Sequence, residues 1–298
     1  MKIAYLILAH DNPEHLQRLI TALSSSSSSF YIHIDKKSNI DPFLKIKGSH
    51  IHLTYERASV YWGDFSQVDA ILILLRAAVA DGCHFDRFVL LSGADYPLRS
   101  TASIGQFFES NRDREFMNLV VMPSEKAGKS ISRLTTYKIR PGDRLISRAI
   151  QKVLMMAGVL PRQRDYKPYL HDLAPYAGST WWALSREACE FILAFVTRET
   201  RLVDFFKNTI CPDETFFQTI LGNSDFGPRI VRNLTYTDWS AGGASPSLMT
   251  EKHLAFFQAT SSFAKDDTYG TGEMLFARKF ADQPVDLVAK LDLAIERS

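Results

Sequence analysis

Long apolar runs and cysteine-rich patterns are both missing from this sequence. No run approaches the roughly eighteen apolar residues that a membrane-spanning helix needs. The three cysteines, Cys83, Cys189 and Cys211, are widely spaced, which argues against a disulfide framework and a zinc site. The histidines include no pair at the spacing of metal ligands on a helix. We therefore expect a cytoplasmic protein with reduced thiols, soluble or at most bound to a membrane surface.

Several motifs that bind phosphates or carry out hydrolysis are absent as well. No G-x-G-x-x-G follows the first apolar run and no G-x-x-x-x-G-K-[ST] occurs, so the glycine-rich phosphate cradles are missing. There is no G-x-S-x-G motif of a serine hydrolase. No Asp-x-Asp is present, the pair that would hold a divalent cation against a nucleotide diphosphate. A diphosphate bound by this chain would therefore be neutralised by arginine or lysine.

Length and composition are those of a globular protein. The chain has 298 residues, of which 46% are hydrophobic and 23% charged, enough to bury a large core. Its net charge of +2 favours no particular partner, and we expect no nucleic acid. At the N-terminal end, a short apolar run stops at His10 and a polar turn instead of a small-residue cleavage site. This pattern predicts a buried strand and no signal peptide.

Strand and helix patterns alternate along the chain. They predict strands over residues 3–9, 30–34, 51–55, 87–91, 116–122, 176–184 and 230–236, and helices over 14–23, 67–80, 186–195 and from Pro212. The serine run at 24–29 is predicted to be a loop without packed side chains. This order predicts an α/β fold with a mostly parallel sheet flanked by helices. Ligands of such sheets bind outside the carboxyl ends of the strands, where His10, Asp35 and Asp95 fall.

Two adjacent acids follow a proline at positions 211–214, in the order Cys-Pro-Asp-Glu. Proline and acids suit the first turn of a helix, and the apolar residues Phe216, Phe217 and Ile220 recur at a spacing that predicts burial. One carboxylate should then lie at the rim of whatever the helix start points into. The alternative is that both acids only cap the helix.

Six short motifs occur in order over nearly the whole chain. They are Y-I-H-I-D-K-K at 31–37, W-G-D-F-S at 62–66, L-S-G-A-D-Y-P-L at 91–98, G-S-T-W-W-A-L-S-R at 178–186, P-D-E at 212–214 and L-F-A-R-K-F at 275–280. With them the chain resembles the core-2/I-branching β-1,6-N-acetylglucosaminyltransferase family, which includes peptide O-xylosyltransferases and bacterial members. The resemblance implies one Rossmann-like domain of GT-A type over residues 1–298. Its nucleotide-binding half would cover about 1–122, and its acceptor-binding and catalytic half about 123–298.

The resemblance also implies roles for single residues. Glu214 matches the family's catalytic base, whereas xylosyltransferase members use an aspartate at the position of Thr180, which favours Glu214 here. Lys279 matches the cation at the diphosphate, Asp35 the acid beside the uracil and Trp62 the aromatic near the ribose. The family's arginine at the diphosphate has no clear counterpart, with Arg278 or Lys252 as substitutes. Residues 263–274 look like an insertion.

The resulting candidate site is divided into a donor and an acceptor region. The donor set, which adds neighbouring strand-end residues, is Ala9, His10, Asp35, Trp62, Gly63, Ser92, Gly93, Asp95, Arg278 and Lys279. The acceptor set is aromatic and consists of Tyr96, Trp181, Trp182, Tyr236 and Trp239. Because Trp181 and Trp182 alternate across a predicted strand, one should be in the core while the other can stack on a sugar. No residue is assigned to a metal or a cofactor.

Together these features predict an inverting, metal-independent glycosyltransferase. It would move N-acetylglucosamine, xylose or another sugar from a UDP-sugar to a saccharide or lipid-linked saccharide, in bacterial surface-polysaccharide biosynthesis. One alternative is a catalytically silent sugar- or nucleotide-binding protein on the same scaffold, in view of the missing arginine. A glycoside hydrolase would need a second carboxylate facing Glu214 at short range, and Asp213 points elsewhere on a helix.

A strongly basic segment covers residues 126–167. It contains eleven lysines and arginines against two acids, and residues 144, 148 and 152 follow at the four-residue spacing of one helical face. Apolar residues supply a broad second face. The segment is either a surface helix packed on the core with a solvated basic face, or a helix at an anionic membrane surface. The second reading predicts peripheral contact with the inner membrane, next to a lipid-linked acceptor.

Overall fold

In the computed structural model, the described residues are 1–139, 145–160, 163–243, 245–258, 264–280 and 285–296. Their strands are β1 (Ile3–Ala9), β2 (Ser28–Ile34), β3 (Ile51–Leu53), β4 (Arg87–Ser92), β5 (Asp95–Pro97), β6 (Glu115–Met117), β7 (Val120–Val121), β8 (Tyr176–Ala177), β9 (Trp182–Ser185), β10 (Ile230–Val231), β11 (Thr235–Thr237), β12 (Ala264–Asp267), β13 (Gly270–Glu273) and β14 (Phe276–Arg278). Their helices are α1 (Pro13–Leu23), α2 (Ser66–Ala80), α3 (Thr101–Ser110), α4 (Ser132–Thr135), α5 (Leu145–Met156), α6 (Lys167–Leu170), α7 (Arg186–Arg198), α8 (Thr200–Phe206), α9 (Phe216–Gly222), α10 (Glu251–Gln258) and α11 (Val285–Glu296). Short 3-10 turns lie at Phe43–Lys45, Pro212–Glu214 and Gly227–Arg229.

A seven-stranded sheet organises the chain, in the order β10-β6-β9-β4-β1-β2-β3. Strand β1 pairs in parallel with both β2 and β4, and β2 pairs in parallel with β3. Strand β9 is antiparallel to its neighbours β4 and β6. The ends of β1, β2 and β4 therefore meet at one edge of the sheet. Strands from both predicted halves of the chain share this sheet.

Helices pack on both faces of the sheet because successive strand residues point to opposite sides. In β1, Tyr5 and Ile7 enter a core built with α1, α3, α10 and α11. Ala4 and Leu6 enter a second core, built with α2, α7, α8 and α9. The fold class predicted from the alternation of elements, a mostly parallel sheet flanked by helices, is confirmed.

The serine run is partly structured, contrary to the prediction. Ser28 and Ser29 belong to β2 and are buried, paired in parallel with Ile3 and Ala4. The Ser28 hydroxyl donates a hydrogen bond to the Leu23 carbonyl at 2.8 Å. A satisfied hydroxyl can be buried at low cost, so the serines continue the strand.

Three long strands predicted in the second half are each divided in two. Strands β6, β9 and β10 lie in the main sheet, whereas β7 pairs with β8 and β11 pairs with β14. The break between β8 and β9 falls at Gly178, where an added Cβ would lie 1.7 Å from the Asn118 carbonyl oxygen. The two segments cross at a distance that only glycine allows, which no pattern in either segment indicates.

A small three-stranded sheet, in the order β11-β14-β5, accompanies the main sheet. Strand β14 is parallel to β11 and antiparallel to β5. This pairing places Arg278 opposite both Thr237 and Asp95. The L-F-A-R-K-F motif is thereby brought to residues that follow β4, far away in the sequence.

Candidate active site

A cavity of about 1090 Å³ opens at the carboxyl edge of the parallel strands. Ala9 and His10 at the end of β1, Asp35 after β2 and Ser92 at the end of β4 line one part of it. Seven lysine and arginine residues line the cavity against four acidic ones. This excess of positive charge suits a ligand that carries negative charge.

The cavity collects ten of the sixteen residues proposed from the sequence. These are Ala9, His10, Asp35, Trp62, Ser92, Trp181, Glu214, Trp239, Arg278 and Lys279. The other six, Gly63, Gly93, Asp95, Tyr96, Trp182 and Tyr236, do not line it. Each of the six has a structural contact that accounts for its position.

Glu214 ends the 3-10 turn Pro212–Glu214, and only Thr215 separates it from the start of α9. Its Oε2 atom accepts hydrogen bonds from Lys129 Nζ at 2.6 Å and from Arg133 Nη1 at 2.7 Å. Within the described part of the chain, Oε1 has no hydrogen-bond partner. One oxygen is thus held by two cations, while the other is left to accept a proton. Sequence reasoning missed Lys129 and Arg133, for which the basic run at 126–167 was the only signal.

Asp213 has a different environment from its neighbour Glu214. It is buried, and Thr180 Oγ1 donates a hydrogen bond to its Oδ2 atom at 2.6 Å. Burial, and secondly the charge of Glu214, raises the pKa of Asp213 to about 6. Both acids line the cavity, but Asp213 is the buried one, held by the Thr180 hydroxyl, and Glu214 is the more exposed one with an unpaired oxygen.

The turn that bears Glu214 rests on the W-G-D-F-S segment. Gly63 has a positive φ of 61°, and an added Cβ would lie 3.2 Å from the Cys211 sulfur. The Gly63 carbonyl accepts from the Cys211 amide at 3.1 Å and from Lys138 Nζ at 2.5 Å. Gly63 thus supports the turn that bears Glu214 and does not itself line the cavity, while the exposed Trp62 ring borders it.

The Y-I-H-I-D-K-K motif forms the wall after β2. Asp35 is mostly buried, accepts a hydrogen bond from the Lys37 amide at 2.9 Å and lies 3.3 Å from Lys37 Nζ. His33 Nε2 accepts from the Ala58 amide at 2.8 Å, and burial lowers the pKa of His33 to about 4. The neutral imidazole is therefore a fixed structural acceptor beside the Asp35 carboxylate.

Two cations from β14 and its end face the cavity together. The Arg278 guanidinium lies 4.2 Å from the centre of the Trp181 ring, and its Nη1 is 3.6 Å from Asp95 Oδ1. Its buried Nε and Nη1 have no hydrogen-bond partner in the part of the chain that the structure describes. Lys279, unlike Arg278, has no acidic partner among those residues. Lys252, the other substitute for the missing arginine, is exposed on α10 and does not line the cavity.

Asp95 and Gly93 hold this region in place instead of facing a ligand. Asp95 is fully buried, and its carboxylate accepts from the Ser92 amide at 2.9 Å. Burial raises the pKa of Asp95, and the charge of Arg278 opposes this shift. At Gly93, an added Cβ would lie 3.0 Å from the Ala9 Cβ. Neither residue lines the cavity, but both contact neighbours that do, namely Ser92 and Ala9.

Three of the five proposed acceptor aromatics belong to the core. Tyr96 is 1% exposed and donates to Asp292 Oδ1 at 2.8 Å, and Trp182 is 2% exposed and packs edge-on against Phe217. Tyr236 packs against α10 residues and is half buried. The division expected for the tryptophan pair is confirmed, with Trp182 in the core and Trp181 at the cavity. Of the five proposed acceptor aromatics, Trp181 and Trp239 line the cavity.

The described residues offer neither a metal-binding cluster nor a membrane-spanning helix. No group of three or more histidine, cysteine, aspartate or glutamate side chains in the described ranges is placed to hold a metal ion. Among the same residues, no helix combines the length and the apolarity required to span a membrane.

Comparison with known proteins gives consistent matches in sequence. The model of the family described as Core-2/I-Branching enzyme matches residues 3–259. Xylosyltransferase 1 of Rattus norvegicus is 27% identical over 255 residues, which cover 80% of this chain and 28% of that protein. Xylosyltransferase 2 of Rattus norvegicus is 28% identical over 251 residues, covering 80% of this chain and 27% of that protein. The match therefore spans little more than a quarter of each relative.

Solved structures give weaker likenesses. Mouse xyloside xylosyltransferase 1 in its apo form superposes with a TM-score of 0.36 at 12% identity, covering 95% of this chain and 99% of that one. A 4-diphosphocytidyl-2C-methyl-D-erythritol synthase superposes with a TM-score of 0.33 at 10% identity, covering 70% of this chain and 87% of that one.

Proposed function

Given that the chain belongs to the core-2/I-branching enzyme family, we propose that it is an inverting glycosyltransferase that uses a UDP-sugar. The observation that carries this proposal is the arrangement of charge in one cavity. A glutamate with an unpaired oxygen, Glu214, lines the same space as two cations: Lys279, and Arg278, whose Nε and Nη1 make no hydrogen bond within the described residues although Asp95 lies beside it. Inverting transfer needs a base on the acceptor side and positive charge at the leaving diphosphate.

The proposed reaction is a single in-line displacement. Glu214 Oε1 takes the proton from an acceptor hydroxyl while the oxygen of that hydroxyl attacks the anomeric carbon of the donor sugar. The bond from that carbon to the diphosphate breaks, and UDP leaves with the electron pair. Arg278 and Lys279 neutralise the charge that develops on the diphosphate, as a planar fork and a point charge respectively. The positive charge of Arg278 and Lys279 at the diphosphate supports catalysis without a metal ion.

The donor sugar and the setting are further parts of the proposal. We infer N-acetylglucosamine from the motif resemblance, with xylose as the second candidate because relatives are named xylosyltransferases. We place the reaction in bacterial surface-polysaccharide biosynthesis, with a saccharide or a lipid-linked saccharide as acceptor. The alternative of a silent binding protein rested on a missing arginine, and Arg278 lies at the cavity.

Replacement of Glu214 by glutamine tests the proposal. Glu214→Gln removes the base and keeps the shape, so UDP release from UDP-N-acetylglucosamine or UDP-xylose with a saccharide acceptor should fall at least about 10²-fold. UDP binding, measured by calorimetry, should persist. The control is Glu190→Gln, an exposed glutamate of α7 paired with Arg186, which should keep full activity. Near-normal transfer by Glu214→Gln would show that Glu214 is only a helix cap.

A further inference from the structure

The hairpin of β12 and β13 lies at the cavity, although it is outside both larger sheets. Its strands pair antiparallel with Asp267 opposite Gly270, so that Thr268 and Tyr269 form the tip. It covers most of the segment at 263–274 that looks like an insertion relative to the family motifs. Four of its residues, Lys265, Asp267, Thr268 and Tyr269, line the cavity.

One side of the hairpin is attached to neighbouring residues by a salt bridge, a packing contact and a hydrogen bond. Asp267 Oδ1 accepts a hydrogen bond from Arg232 Nη1 at 2.8 Å, and the Arg232 side chain is only 3% exposed. Gly272 packs on the same arginine, since an added Cβ would lie 3.2 Å from the Arg232 Cβ. Lys265 Nζ donates to the Thr237 carbonyl at 3.5 Å. The hairpin is therefore anchored beside β11, where Trp239 also borders the cavity.

The tip of the hairpin reaches the opposite wall. Thr268 Oγ1 donates to the Lys126 carbonyl at 3.3 Å. Lys126 belongs to the turn closed by the bridge between Ser124 and Lys129, and Lys129 binds Glu214. The hairpin thus joins the anchor at Arg232 to the loop that holds the catalytic carboxylate, and closes the cavity on that side.

Tyr269, at the tip of the hairpin, lines the same cavity as Glu214. Burial, and secondly the charge of Glu214, raises the pKa of Tyr269 to about 12, so the hydroxyl keeps its proton at neutral pH. A half-buried aromatic ring with a polar end suits a ligand that is apolar on one face and rich in hydroxyls at its edge.

We propose that the β12–β13 hairpin forms the acceptor wall, with Tyr269 packing against the pyranose ring whose hydroxyl Glu214 activates. The ring of Tyr269 covers the apolar face of that sugar, and its hydroxyl bonds a neighbouring sugar hydroxyl. The contact between Thr268 and Lys126 limits the site to a terminal sugar of the acceptor. This inference rests on the proposed function and adds to it the residue that selects the acceptor.

The experiment separates acceptor binding from donor binding. Saturation-transfer NMR is used to titrate p-nitrophenyl glucoside, galactoside, mannoside and xyloside against the protein saturated with UDP. UDP affinity is measured separately by calorimetry. Tyr269→Ala should weaken binding of the preferred glycoside by at least about tenfold, and Tyr269→Phe by about threefold, with UDP affinity unchanged. Tyr55→Ala, which truncates a fully exposed tyrosine away from the cavity, should change neither affinity.

The possible results are distinguishable. Loss of glycoside binding in Tyr269→Ala together with intact UDP binding supports the hairpin as the acceptor wall. Equal glycoside affinity in wild type and Tyr269→Ala, or UDP binding without any glycoside binding by wild type, would overturn it while the donor site stands. Absence of UDP binding by wild type would instead overturn the proposed function itself.

Discussion

Two adjacent carboxylates, Asp213 and Glu214, differ because their surroundings differ. Glu214 is partly exposed and paired with two cations, whereas Asp213 is buried against the Thr180 hydroxyl. Environments that separate two neighbouring acids in this way are a common basis for dividing catalytic and structural roles. This difference in environment explains why two adjacent acids at the start of a helix need not both serve to cap it.

The raised pKa of Asp213 predicts a pH-dependent stability. Its folded value of about 6 lies above the unfolded value near about 4, so the folded state holds a proton that the unfolded state releases. The contribution of protonated Asp213 to the free energy of unfolding is fully present below about pH 4 and is lost as the pH rises through about 6. Asp213→Asn stays uncharged and can still accept from Thr180. At about pH 8 it should raise the unfolding free energy by roughly 2–3 kcal/mol.

Thermal unfolding of wild type and Asp213→Asn at several pH values checks this prediction. The two melting temperatures should converge below about pH 4, because both side chains are then neutral. Asp225→Asn, at an exposed position, serves as the control and should show no such trend. A constant difference across the pH range would mean that the charge of Asp213 is not the cause.

At the scale of elements, helix α5 leaves several apolar side chains exposed at the surface. Ile150 is 49% exposed, Val153 63% and Met156 76%, and Lys152 is exposed beside them. Gln151 donates a hydrogen bond to the Tyr137 carbonyl, which ties the helix to the chain near the cavity. Of the proposed basic stripe, Arg144 lies outside the described residues and only the backbone of Arg148 is described. An exposed apolar surface within a basic segment matches an anionic lipid surface in both respects.

We propose that α5 binds an anionic membrane and brings the cavity to a lipid-linked acceptor. Wild type should co-sediment with vesicles of anionic phospholipid at low salt and less at high salt, since exposed charges are screened. A double substitution, Val153→Ser with Met156→Ser, should reduce binding at all salt concentrations by removing the apolar contact. Lys152→Gln should reduce it mainly at low salt, by about 1 kcal/mol.

A matched control is Leu44→Ser, which removes an equally exposed apolar side chain elsewhere on the surface. It should leave co-sedimentation unchanged. If the α5 variants and wild type partition equally, the helix has no membrane contact and its basic face is simply solvated.

At the scale of the whole molecule, the cavity joins parts that are distant in the chain. Strand ends of the first half supply Asp35 and Ser92, while β14 and its end supply Arg278 and Lys279. A ligand that binds this folded arrangement and not the unfolded chain stabilises the protein according to its concentration and affinity. UDP should therefore raise the melting temperature of the whole chain in one transition.

The same measurement tests the proposed role of the cations. The shift with UDP should be equal with and without EDTA, because Arg278 and Lys279 supply the positive charge. In Lys279→Ala, most of the rise in melting temperature caused by UDP should disappear. In Lys279→Arg only part of it should, since both lysine and arginine can bind phosphate oxygens. Lys207→Ala provides the control, because Lys207 is a partly exposed lysine that pairs with Asp204 and does not line the cavity. A UDP shift that requires manganese or magnesium would contradict this account.

Much of the fold followed from local patterns. Strand β1 has the predicted bounds, and α1, α2 and β4 are within one residue of theirs, because an apolar run or a 3.6-residue period is visible within the segment itself. The predicted burial of Phe216, Phe217 and Ile220 is confirmed for the same reason. The position of Glu214 at a cavity also followed, since a charged side chain at the start of a buried helix must reach a space that solvent can enter.

Only the tertiary structure decided which side chains meet. Lys129 and Arg133 lie 85 and 81 residues from Glu214 in sequence, and nothing in their neighbourhood distinguishes them from the other cations of the basic segment. The burial of Tyr96 and the exposure of Trp239 likewise depend on which elements cover them. The sequence by itself determined most of the elements of residues 3–92 and the chemistry available at their ends, because these depend on neighbouring residues. The pairing of Arg278 with Trp181 and the hairpin at the cavity were decided by the tertiary fold, because distant charges and rings have no local pattern that names their partners.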